Sequence, residues 1–292
     1  MIHAGVRPGA PPETAPEPRA PEGGLTPLGG GAAPGGVTLG WRTVSGDAAD
    51  PPLRVLVASP RARAPLGRVI VAHHRDGLDD FTGSVCRTLA EAGFLAEVPD
   101  LFSRATDPEL TPAERKATLR DETLVRDLTR CHAAADRDAG GLRTGVVGHC
   151  MGGRVALLAA VDTAFCAAAV SFYGGRLFQP WGPGRSPGER VDRVRCPVLA
   201  VGGRADSQPS PADLERLALL AAGAPHPVRV ALAEGAGHAF MNFLRADRYH
   251  PLATQTGYAV ATAFLTEHLA STHAPDPRGP SPTTTPTALP EA

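Results

Sequence analysis

The 292-residue chain predicts an α/β fold, a mostly parallel sheet with helices on both faces, and three observations carry that expectation. Short apolar runs alternate with segments of helical periodicity along most of the chain, as successive βαβ units require. Several of those runs are apolar throughout instead of alternating, which marks strands covered on both faces. Hydrophobic residues are 42% of the chain and charged residues 20%, enough for one large core, so disorder throughout is excluded.

Residues 1–36 are dominated by Pro, Gly and Ala and predict a disordered extension; the tail HAPDPRGPSPTTTPTALPEA, 273–292, reads the same way. The folded domain is expected at 37–272. VTLGWRTV and LRVLVAS predict two strands of an antiparallel edge around the polar turn SGDAADPP. RVIVAHH is a buried strand ending in polar residues. GSVCRTLAEAG follows as a helix stopped by Gly93. FLAEVPDLF is the next strand and its exit. Residues 112–138 predict one long amphipathic helix, with a proline near its start and Leu124, Leu128 and Cys131 at helical spacing. TGVVGHC is then a strand and MGGRVALLAAV a helix. AAAVSFYG and PVLAVGG are strands, PADLERLALLAAG a helix, VRVALAE a strand, and TGYAVATAFLTEHLAS the final helix.

The formal net charge of -1 gives no electrostatic case for nucleic acid or an acidic membrane surface. Lys116 is the single lysine, and the abundance of Arg, Ala, Gly and Pro points to a GC-rich genome more than to function. The five cysteines are odd in number and scattered, with no CxxC pair and no His/Cys cluster at zinc spacing, so neither a disulfide framework nor a metal site is indicated. MIHAGVRPGAPPE has no apolar core of a signal peptide, and no apolar run is long enough to span a membrane; a reducing cytoplasm is the expectation. The apolar patterning marks no interface, and oligomeric state is left unassigned.

In open parallel sheets, ligands bind beyond the C-terminal ends of the strands. Three such exits carry reactive side chains here, in the order nucleophile, acid, histidine: GHCMGG with Cys150, GGRADSQ with Asp206 and EGAGHAF with His238. The first has the form G-x-C-x-G, a cysteine version of the nucleophile elbow, in which glycines relieve crowding at a sharp strand-to-helix turn. Cys150 then stands at the start of a helix, where the dipole and free N–H groups favour a thiolate. The Met151 N–H faces the oxygen of an attacked carbonyl, half of an oxyanion hole. Alone, the motif is equally a structural cysteine in a glycine-rich turn, Asp206 a turn residue and His238 a surface loop residue. Their joint placement on strand exits favours a triad, with His238 as general base and Asp206 fixing its tautomer.

VVGHCMGGR, AVGGRADSQP and EGAGHAF, with VIVAHHRDGLDDF and AGFLAEVPDLFSR upstream, resemble the dienelactone hydrolase family of alpha/beta-hydrolases over about residues 37–270. The resemblance implies an eight-stranded alpha/beta-hydrolase fold, no cofactor, a Cys-His-Asp triad at Cys150, His238 and Asp206, and hydrolysis of small-molecule esters or lactones through an acyl-enzyme. It also implies the Arg75 N–H as second oxyanion donor. Two positions depart from the family. His74 stands where the dienelactone enzyme has a glutamate at the thiol; it either hydrogen-bonds the thiol or substrate, or is an ordinary loop histidine. Asn242 stands where that enzyme has an arginine for the substrate carboxylate, and an amide brings neither charge nor a bidentate fork. Arg245, or an arginine of the 112–138 helix, is the candidate replacement.

A non-hydrolytic binding or redox-responsive thiol protein on the same fold is the reading from a different class, and acyl transfer to an acceptor other than water uses the same residues. The long loop 174–197, with Phe178 and Trp181, is expected to overhang the pocket.

Overall fold

The computed structural model describes residues 26–27, 36–138 and 141–270. The extension expected at 1–36 and the tail expected at 273–292 therefore lie outside the described residues, apart from Thr26, Pro27 and Gly36.

The chain runs through β1 (Thr26–Pro27), β2 (Val37–Val44), β3 (Leu53–Pro60), β4 (Arg68–Ala72), α1 (Asp80–Glu91), β5 (Leu95–Pro99), α2 (Pro112–Thr118) and α3 (Asp121–Asp138). It continues through β6 (Thr144–His149), α4 (Met151–Asp162), β7 (Cys166–Phe172), β8 (Val198–Gly203), α5 (Pro211–Leu220), β9 (Val228–Ala233) and α6 (Pro251–Leu269). The strands form one sheet in the order β1-β2-β3-β5-β4-β6-β7-β8-β9. Strands β2 to β9 are the eight expected; β1 adds a two-residue antiparallel pairing at Gly40 and Trp41 of β2. Strands β2, β3 and β5 pair antiparallel, and every pair from β5 across to β9 is parallel.

Every residue of β4, β6 and β8 is buried, which is why their sequences are apolar without alternation. One apolar layer joins the sheet to α1 and α6 through Phe81, Val85, Leu89, Phe264 and Leu265. The other joins it to α3, α4 and α5 through Leu124, Leu128, Val155, Leu158 and Leu214. The elbow helix α4 is buried along almost its whole length, so the site it carries rests on a rigid base. Among the described residues no helix is long and apolar enough to cross a membrane. All five cysteines are free; the Cys196 and Cys166 sulfurs lie 3.6 Å apart in the core.

The single helix expected over 112–138 is two helices. Leu119 leaves α2 with φ -65°, ψ 141° and is buried in the core. In an unbroken helix Leu119 would sit roughly 140° around the axis from Leu124, facing solvent, so burying both requires a break. Arg120 stabilises it, its Nη1 donating to the carbonyls of Ala117 at 2.9 Å and Leu119 at 2.8 Å. The last helix begins earlier than TGYAV suggests: Pro251 opens it, and the His250 ring accepts from the Ala253 N–H at 3.2 Å as its cap.

Candidate active site

The strand order reverses about β4, whose neighbours are β5 and β6, and the crevice of such a sheet opens above that point. The exits of β4 and β6 deliver His73, His74, Arg75 and Cys150 to it. Cys150 has φ 55°, ψ -115°, a conformation that L residues adopt only under constraint. The constraint is close packing: a Cβ on Gly148 would overlap the Gly152 carbonyl, and one on Gly152 would overlap the Ala72 carbonyl of β4. Four non-glycine residues have positive φ among the described residues, Cys150, Tyr173, Arg176 and Ala239, and all four line one or other hollow at the nucleophile.

The three residues expected to form a triad are brought together. His238 Nε2 lies 3.1 Å from Cys150 Sγ, and its Nδ1 lies 2.9 Å from Asp206 Oδ2. Asp206 is buried and its Oδ1 accepts from the Gln208 N–H at 2.8 Å, so the carboxylate is held on both sides. An ionised Asp206 accepts only, which makes His238 Nδ1–H the donor and leaves Nε2 for the thiol. Burial pushes the Cys150 thiol up, but the His238 hydrogen bond and charge, the Met151 N–H and the Lys116 charge outweigh it and leave the thiol below its ordinary value. Burial likewise pulls His238 down, and Asp206 and the Cys150 sulfur more than reverse this, raising it to about 9. The pair is thereby biased toward thiolate and imidazolium. The Met151 N–H, expected in the oxyanion hole, bonds the sulfur in this resting arrangement.

His74 does not take the place of the glutamate at the thiol. Its Nε2 lies 2.9 Å from Asp79 Oδ2 and its Nδ1 3.6 Å from Asp76 Oδ2, so both ring nitrogens face carboxylates. Asp79 also caps α1 by accepting from the Thr82 N–H, and His74 thus ties the β4 exit to that helix. Asn242 is buried beside the nucleophile with its amide oxygen committed to the Leu244 N–H at 2.9 Å, which leaves its NH2 for a ligand. Arg245 lines the same hollow, paired with Asp76 at 3.2 Å.

Cys150 and His238 stand where two hollows meet. One, of about 150 Å³, lies toward His74, Asn242 and Arg245. The other, of about 300 Å³, lies toward Lys116, Arg176 and Trp181. Arg75 and Arg248 border both. Trp181 therefore overhangs the site as expected of its loop. Phe178 does not; it turns toward α5, with the Arg216 guanidinium 4.0 Å from its ring. Among the described residues no group of three or more His, Cys, Asp or Glu side chains is arranged to hold a metal ion.

Two supporting residues escape sequence reasoning. The buried His73 accepts from the Leu101 N–H at its Nε2 (3.0 Å), so its Nδ1–H donates to the His74 carbonyl at 2.7 Å. Across a trans peptide, anchoring that carbonyl sends the Arg75 N–H the opposite way. Arg154, wholly buried one turn into α4, holds both oxygens of Asp121 at 2.5 and 2.9 Å and lies 4.0 Å over Trp181. It also donates to the carbonyls of Arg176 and Gln179, so it fastens α3 and the overhanging loop to the elbow helix. The adjacency of HH and the arginine in GGR were visible signals, but their partners are distant in sequence.

The model of the "Dienelactone hydrolase family" matches residues 53–269. A protein of a Bradyrhizobium species named "Probable 2-oxo-3-(5-oxofuran-2-ylidene)propanoate lactonase" is 30% identical over 225 residues, 73% of this chain and 88% of its own length. A carboxymethylenebutenolidase of Rhodococcus opacus is 30% identical over 177 residues, 56% of this chain and 66% of its own. The crystal structure of a "Putative Dienelactone Hydrolase" from Klebsiella pneumoniae superposes with a TM-score of 0.72 at 26% identity, covering 80% of this chain and 99% of that one.

Proposed function

The chain belongs to the dienelactone hydrolase family, and from that premise we propose that it is a cysteine hydrolase of small esters or lactones that works through an S-acyl intermediate. The observation that carries the reading is the line of contacts from Cys150 Sγ to His238 Nε2, 3.1 Å, and from His238 Nδ1 to Asp206 Oδ2, 2.9 Å, at a strained elbow. The thiolate attacks the carbonyl carbon, and the Met151 and Arg75 N–H groups hold the oxyanion. The imidazolium gives its Nε2 proton to the departing alkoxide, leaving a thioester on Cys150. Water, deprotonated by the now neutral His238, attacks the thioester; the tetrahedral adduct expels the thiolate and the acid product leaves. Asp206 stabilises the imidazolium in both halves.

A small molecule that fits hollows of this size is the substrate, and nucleic acid and membrane are not partners on this reading. A reducing cytoplasm suits a thiolate nucleophile among five free cysteines. On the Asn242 side, Arg245 supplies a cation from a different position, partly neutralised by Asp76. A panel of lactones and esters with and without a free carboxylate measures what that replacement recognises.

The direct test compares wild type with Cys150→Ala on an activated aryl ester. Loss of roughly a thousandfold or more in kcat/KM is expected; equal turnover sinks the reading. A redox-responsive thiol instead predicts oxidation of Cys150 in a chain that turns over no ester. Added alcohol separates hydrolysis from acyl transfer, through the ester product that only transfer yields.

A further inference from the structure

Beyond the two hollows at the nucleophile lies a larger one, of about 520 Å³, between α2 and the 176–182 loop. It shares Arg75, Lys116, Arg176 and Trp181 with the hollow that reaches Cys150, so the two adjoin. Its charge is one-sided: Arg75, Lys116, Arg120 and Arg176 border it, and no carboxylate does. Arg75 has a partner in Asp76 at 3.4 Å. Among the described residues, Lys116, Arg120 and Arg176 have no carboxylate within ion-pair distance. The charges nearest Lys116 are Arg176, Arg75 and Arg154 and the Cys150 sulfur, and burial together with these cations holds its ammonium below the usual lysine range.

The cations are held in place by structure. Arg120 stands at the α2 to α3 break, which burial of Leu119 enforces. Arg176 has φ 58°, a left-handed conformation for a non-glycine residue, and its carbonyl accepts from the buried Arg154 Nε at 3.3 Å. Its guanidinium is oriented by Gln179 Oε1 at 2.6 Å. Gathering like charges around a hollow costs free energy that a bound anion returns. A single carboxylate would compensate one of the three unpaired cations and a dianion two, and the three terminal oxygens of a phosphate offer each cation an acceptor.

We propose that this hollow is a second anion subsite, which takes a phosphate-class dianion carried on the substrate at a distance from the bond that Cys150 cleaves. The natural substrate is then an elongated phosphorylated ester, and recognition of its far end is separate from the Asn242 side of the site. The inference rests on the hydrolase reading above.

The experiment uses three aryl acetates that differ only at the para position of the phenol: phosphate, carboxylate or methoxy. At low ionic strength the phosphate ester is expected to have a KM roughly tenfold below that of the methoxy ester, with similar kcat. The carboxylate ester falls between them, and the advantage shrinks as salt is raised. Arg120→Gln, and separately Arg176→Gln, raise KM for the phosphate ester severalfold. Each variant raises KM for the phosphate ester more than for the methoxy ester, so the ratio of the two KM values falls toward one. In parallel, phenyl phosphate is titrated calorimetrically into Cys150→Ala, where it binds, and into Cys150→Ala with Arg176→Gln, where it binds more weakly. Equal KM for all three esters, a phosphate preference untouched by both arginine variants, or no phenyl phosphate binding overturns the subsite. Turnover of none of the esters overturns the hydrolase reading instead, and the calorimetry reports on the subsite regardless.

Discussion

His238 holds the thiol on one nitrogen and Asp206 on the other, and each contact changes what the other can do. On the proposed mechanism the working pair is thiolate and imidazolium, so kcat/KM is expected to rise as Cys150 ionises, below the ordinary thiol range, and to fall near pH 9 as the imidazolium loses its proton. A bell with its alkaline limb near 9 is expected from initial rates with an activated ester. Asp206→Asn removes the bond that raises His238, so the alkaline limb moves to lower pH and kcat falls on the order of a thousandfold; an unmoved limb contradicts the assignment. His73 acts one step further out, as a positioning residue for the His74–Arg75 peptide. His73→Gln is expected to lower kcat by about tenfold with KM held, since a misaimed oxyanion donor costs less than a deleted one; a change in melting temperature alone, with kcat intact, assigns it a structural role. Cys150, Asp206 and His238 were legible in the sequence because each lies in the turn at the exit of an apolar strand. His73 was not, because its meaning lies in a bond to Leu101 that no local pattern shows.

At the scale of elements, the elbow works because β4, β6 and α4 pack closer than side chains allow. Gly152→Ala places a methyl against the Ala72 carbonyl, backbone that cannot swing aside. A loss of about 3 kcal/mol or more is expected by chemical denaturation; a loss under 1 kcal/mol would contradict the packing account. The break between α2 and α3 was invisible to periodicity, since Leu124, Leu128 and Cys131 do share one helical face and only the burial of Leu119 shows that the stripe is interrupted. That break puts Asp121 at the start of α3 within reach of Arg154, a pairing of residues far apart in sequence. Asp121→Ala strands a wholly buried guanidinium and is expected to cost about 3 kcal/mol. It also releases Trp181, whose N–H donates to Asp121 Oδ2 at 3.3 Å, so KM rises along with the loss of stability. Each strand expected from the sequence is present, and β4, β6 and β8, buried on both faces, write that burial directly into their composition.

Across the whole molecule, a chain of net charge -1 gathers cations around two adjoining hollows. Composition could not reveal this, since a net charge does not say where in the fold the charges sit. Topology does the gathering: the reversal of strand order at β4 brings exits far apart in the sequence to one crevice. Among the described residues, both apolar layers and every site residue fall between Val37 and Leu269. A chain of residues 36–270 loses only the two-residue β1 from the described sheet, and is expected to keep its melting temperature within about 3 °C and its kcat/KM for a small ester; a large drop in either would show that residues outside this span contribute to the fold or site.

The central claim is that Cys150 carries the acyl group. Wild-type protein and Cys150→Ala are mixed with a slowly hydrolysed ester, quenched in acid within the first turnover, and weighed intact by mass spectrometry before peptide mapping. Wild type is expected to gain one acyl group, located on the peptide containing Cys150 and removed by neutral hydroxylamine as a thioester is, while Cys150→Ala gains none. Turnover with no adduct on Cys150, or the same adduct on another residue in both proteins, would contradict the account.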